Sequence, residues 1–141
     1  MTHRTAMPGP ADTAPPQDAP TLLSDRLTAW ARTRDAGHQA AVAALIEEDT
    51  LLAREDVRAL LVGETEAGAF CDWPRFEERY RCALVLDDGE DAFLTLVIAT
   101  AFPRLVALWR LEALGDRRLG IILRAITRLA GSDTIAVGTR T

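Results

Sequence analysis

Between Ala92 and Phe102 the chain is apolar in every direction around a helix except at Thr95 and Thr100. A helix without a polar stripe has to be covered on all sides, so this stretch predicts a central helix and makes the remaining elements its packing partners. Its start is written just upstream, where Asp87 is followed three residues later by Glu90. In that spacing each carboxylate accepts from the other residue's backbone N–H, which contributes roughly 1 kcal/mol. Pro103 then stops the helix, since its ring and missing N–H cannot continue the hydrogen-bond ladder.

The other elements follow from the same reading. After Ser24, Leu27, Trp30 and Ala31 share one face while Arg26, Arg32 and Arg34 lie elsewhere, predicting a short amphipathic helix that ends by Gly37. A second helix starts near His38: Ala41, Val42, Leu45 and Ile46 recur at helical spacing, and Glu47 and Glu48 fall on the far side until Asp49 and Thr50 break the stripe. A third carries Val57, Leu60 and Leu61, with Glu55 and Asp56 in its first turn, where the helix dipole favours negative charge, and Gly63 after it. Glu64 to Gly68 reads as a polar loop. Asp72 before Trp73 and Pro74 is a helix start, continued by Phe76 and Tyr80.

Leu105 to Leu114 is a short apolar piece, and Gly115-Asp116 opens the last helix. On that helix Leu119, Ile122, Ile126 and Leu129 fall within about 80° of one another, with Arg117, Arg124 and Arg128 opposite and Gly131 as a C-cap. The expected fold is therefore all-α: a single compact bundle of about five short helices around a buried apolar helix, spanning residues 21–131. A disordered Pro-rich tail covers residues 1–20 and a C-terminal tail covers 132–141. The alternative is an α+β domain in which Cys82 to Leu86 pairs with Thr134 to Val137 as a small two-stranded hairpin.

Composition narrows the function classes. A chain of 141 residues with 48% apolar content can bury one core without disulfides or metal. The net charge of −5 argues against nonspecific attraction to nucleic acid, although the last third of the chain is basic and leaves room for a local patch. All 16 basic residues are arginine. Without lysine the chain cannot form a Schiff base or a Walker-type phosphate loop of its own. No apolar run approaches the roughly 20 residues of a membrane span, and no signal-peptide pattern precedes Leu22, so a cytoplasmic protein is expected. There Cys71 and Cys82 stay reduced; their spacing matches no zinc or redox motif, and both read as packing residues.

Catalytic patterns are missing from the sequence. Ser24 and Ser132 lack the glycines of a nucleophile elbow, His3 and His38 form no metal or triad spacing, and Gly115 with Gly120 has Ile121 where a phosphate loop needs lysine. The acidic group Glu47, Glu48, Asp49, Glu55 and Asp56 offers hard oxygen ligands, but consecutive helix positions diverge by about 100° and do not converge on one ion unaided. No metal, cofactor or enzymatic activity is expected. What remains is the arginine face of the last helix. Arg117, Arg118, Arg124 and Arg128, with Ile121 at the edge of the stripe, predict a contact surface for a protein partner or a second copy. The expected function is a small interaction or adaptor module, and the alternative is a DNA-associated accessory protein using the same arginines on phosphates.

Asp72-Trp73, the helix capped by Asp87 and Glu90, and Leu114-Gly115-Asp116-Arg117-Arg118-Leu119 leading through Ala125 to Gly131 together resemble short helical proteins of actinobacterial genomes and their mobile elements. The resemblance spans about Gly37 to Gly131 and departs from that group at Gly115 and Arg118. It implies a helical fold, and it carries no activity or functional residue with it.

Overall fold

The computed structural model describes residues 19–140. In chain order it forms α1 (Ala19–Arg32), α2 (Ala36–Glu48), α3 (Glu55–Leu61), β1 (Val62–Thr65), β2 (Gly68–Cys71), α4 (Trp73–Ala83), α5 (Asp88–Ala101), a 3-10 segment (Leu108–Ala113) and α6 (Gly115–Leu129). The expected tail 1–20 lies outside the described residues apart from Ala19 and Pro20, which open α1.

The central helix is α5. Its cap closes as the spacing predicts: the Glu90 N–H donates to Asp87 at 2.7 Å, and the Asp87 N–H donates to the Glu90 carboxylate at 3.0 Å. From Ala92 to Ile98 every residue is buried, under α2, α4 and α6. The polar residue in that run, Thr95, is satisfied by the Tyr80 hydroxyl of α4 at 2.8 Å, which avoids the desolvation cost of an unpaired buried hydroxyl.

The fold is mostly helical but not all-α. The stretch expected to be a loop, Glu64 to Gly68, holds the end of one strand, a two-residue turn and the start of the next in an antiparallel hairpin, β1 against β2, with Val62 opposite Cys71, Gly63 opposite Phe70 and Thr65 opposite Gly68. Ala69 and Cys71 alternate inward from Gly68 and Phe70, and β2 packs on α1. That burial supplies what an isolated two-stranded ribbon lacks. The Phe70 ring covers Gly63, where a Cβ would lie 2.4 Å from it. The alternative hairpin had the right architecture on the wrong residues. Cys82 and Ala83 finish α4, and neither Leu84 to Leu86 nor Thr134 to Val137 forms a strand.

The first helix ends before Gly37, at Arg32, and Gly37 sits in the first turn of α2, capped by Asp35, whose carboxylate accepts from the His38 N–H at 3.0 Å. A glycine is needed there because a Cβ would come within 2.6 Å of the Thr100 carbonyl oxygen at the end of α5. This close approach of α2 to α5 aims the C-terminal end of α2 at α6, with which it packs. Among the described residues no helix is long and apolar enough to cross a membrane.

Candidate functional site

α2 ends in Glu47-Glu48, and Asp49 closes it in the left-handed conformation, φ 64°, with its N–H on the Leu45 carbonyl at 3.0 Å. The turn folds Glu48 inward to 0% exposure. Both of its oxygens find donors: Oε1 accepts from the Leu51 N–H at 2.9 Å, and Oε2 accepts from Thr50 and from Arg118 Nε and Nη2 at 3.1 and 3.0 Å. Burial alone would push the Glu48 carboxyl up, but the donors from Thr50, Leu51 and Arg118 outweigh it and hold the group below its ordinary 4.5. Gly89 makes room for the guanidinium, since a Cβ there would stand 2.9 Å from Arg118 Nη1.

The two charged groups singled out in the sequence thus meet each other. Arg117 donates to the Glu47 and Glu48 carbonyls at 3.0 and 2.8 Å and lies 3.7 Å from Asp49. Arg124 pairs with Glu47 and donates to the Val137 carbonyl at 3.1 Å, tying down the C-terminal segment. The acidic cluster is answered by arginine rather than arranged around a cation, and among the described residues no group of three or more acidic, His or Cys side chains could hold a metal ion. Glu55 and Asp56 stand apart on α3, where Arg54 pairs with Asp56 at 2.7 Å. Glu77 pairs with Arg104 at 3.2 Å.

The expected contact surface is corrected accordingly. Ile121 is 1% exposed and belongs to the core, so it cannot anchor a partner. Arg117, Arg118 and Arg124 are engaged within the chain; Arg128 alone of the five is exposed without an ion pair among the described residues. The reason is a roll of α6 by about 70° from its own apolar stripe, judged at 100° per residue. Arg118, Ile121, Ile122 and Ala125 face inward, because the buried Glu48 carboxylate needs Arg118 and the small Ala125 permits close packing. The far flank of the stripe is left outside: Leu123 and Ile126 are exposed, the latter 48%, and Leu119 is half-buried. Ahead of α6 the 3-10 segment buries none of its residues, leaving Leu108 at 72% and Trp109 at 67% exposure. The spacing Leu119, Leu123, Ile126, Ala130 was the signal in the sequence for this second face.

His38 stands in the first turn of α2, its backbone N–H held by the Asp35 cap and its Nδ1 2.8 Å from the same carboxylate. The cysteines divide: Cys71 packs in the core, where burial pushes its thiol up to about 12, while Cys82 is exposed and is not a packing residue. Because the thiolate is the reactive form, an aromatic disulfide reagent at pH 8 is expected to titrate one thiol at once and the second only after unfolding in guanidinium. Immediate reaction of both would place Cys71 outside the core.

No protein-family model, curated protein or solved structure matches the chain.

Proposed function

We propose that the protein is a non-catalytic interaction module that self-associates through the outer face of its C-terminal helix, acting in the cytoplasm, where its two free thiols stay reduced. The observation that carries this reading is the outward turn of Leu119, Leu123 and Ile126. With Ala130 they repeat at intervals of four, three and four residues, the spacing of a helix-pairing seam. Of the positions flanking that seam Ile122 is buried in the core, and Gly120, Thr127 and Leu129 carry no charge, so a second copy of this acidic chain can approach along that stretch without like-charge repulsion. Leu108 and Trp109, also exposed, precede the same helix and add apolar surface suited to an interface core.

The nucleic-acid reading loses its main support, because three of its arginines already hold carboxylates and carbonyls of α2. Sedimentation equilibrium at roughly 1–100 µM, a range that brackets ordinary weak dimers, is expected to show mass rising from 15.4 kDa toward twice that value. Leu123→Asp should return it to 15.4 kDa with an unchanged melting curve. A parent protein that stays at 15.4 kDa throughout overturns the proposal. So does a salt-sensitive shift of duplex DNA that Leu123→Asp leaves intact, since counterion release marks a phosphate-binding surface.

A further inference from the structure

We infer that the groove between α1 and the hairpin binds a small flat aromatic acid. The groove has a volume of about 570 Å³, within the range of small-molecule sites, and it lies on a different part of the molecule from the α6 face, bounded by α1 and the turn of β1 and β2. Its walls are Ala29 and Trp30 on the helix and Ala69 and Phe70 on β2. The Trp30 and Phe70 rings stand 6.4 Å apart, tilted by 50°, in contact with one another as one apolar wall. A ligand ring lies against that wall rather than between the two rings, in the offset or edge-on arrangements such rings prefer.

Charge selects an acid over a neutral ring. Two arginines border the groove, and they differ in state. Arg26 is paired with Glu64 of β1. Arg34 has no carboxylate within ion-pair distance among the described residues, and its guanidinium rests 5.4 Å from the centre of the Trp30 ring. That stacking orients the guanidinium on the aromatic wall while leaving its N–H fork free for a carboxylate. The hydroxyls of Thr33 and Thr65 are engaged with the Trp30 carbonyl at 2.7 Å and the Gly68 carbonyl at 3.4 Å, so among the described residues lining the groove Arg34 is the cation left without a carboxylate, and it sets the ligand's polarity.

The test compares 2-naphthoate with 2-naphthamide, which has the same shape without the charge, by isothermal titration calorimetry on the full chain. The acid is expected to saturate with a Kd on the order of 0.1–1 mM, fitting its few heavy atoms, and the amide to bind at least five-fold more weakly. Arg34→Gln should bring the acid down to the level of the amide and leave the melting curve unchanged, as Arg34 is exposed. Ala29→Phe, a substitution at an exposed wall position, should fill the groove and remove binding of both. Leu123→Asp should bind like the parent, which separates this site from the α6 face. Absence of saturation in the parent, equal affinities for acid and amide, or undiminished binding by Ala29→Phe would each overturn the inference.

Discussion

Replacing Glu48 by alanine is expected to lower the stability of the fold by about 3–5 kcal/mol, the cost typical of breaking a buried ion pair from one side. The expectation rests on what the substitution leaves behind. Arg118, four-fifths buried at its side chain, would keep its charge and lose its only carboxylate partner among the described residues, and the Leu51 N–H and Thr50 hydroxyl would lose their acceptor. A domain of this size ordinarily has 5–15 kcal/mol in total, so the melting point should fall by roughly 10–20 °C. Arg118→Ala in the same background should cost far less than it does alone, because the charge it removes is then unpaired. A Glu48→Ala variant melting within about two or three degrees of the parent would mean that the pair contributes nothing.

The same residue sets an acid limit. The folded carboxyl is held below the ordinary 4.5, so the folded state favours its ionised form. Its contribution is complete above about pH 4.5 and is lost as the pH falls through the folded value. The stability difference between parent and Glu48→Ala should therefore be constant from neutral pH down to that point and shrink below it, in urea titrations at stepped pH. A difference that grows on acidification would reverse the assignment.

Val97→Asp is expected to abolish cooperative folding at 25 °C. Val97 is fully buried on α5, the helix under α2, α4 and α6. Desolvating a carboxylate there, or holding it neutral against its own pKa, costs several kcal/mol, comparable to the whole stability of a small domain. The milder Val97→Ala removes two methyl equivalents and leaves a void, which should cost about 2 kcal/mol and preserve a two-state melt. Circular dichroism on both variants checks the pair. If Val97→Asp melted within a few degrees of the parent, Val97 would be at the surface and α5 would not be the centre of the fold.

The features legible in the residues are those decided within one turn of chain. The reciprocal cap of Asp87 and Glu90, the Asp72 cap, the stop at Pro103 and the all-round burial of Ala92 to Ile98 depend on neighbours three or four positions apart. Local hydrogen bonding and side-chain periodicity determine such features before any tertiary contact forms. The hairpin was harder to read. Its inward pair, Ala69 and Cys71, is too short and too small to register as an alternating strand, and it becomes a strand because α1 covers it.

Tertiary structure alone decided which way α6 faces. The helix carries apolar residues over more than half its circumference, so its sequence is compatible with several rotational settings of similar apolar burial. Choosing among them falls to a contact 70 residues away, between Glu48 and Arg118. A carboxylate buried at the end of α2 is costly unless a donor reaches it. Satisfying it turns Ile121 inward, aligns Arg117 and Arg124 with the acidic end of α2, and leaves Leu123 and Ile126 facing out. Hydrophobic periodicity says how much of a helix can be buried, but it is indifferent to a charge on another element; the direction of burial follows from that charge once the chain has brought the two together.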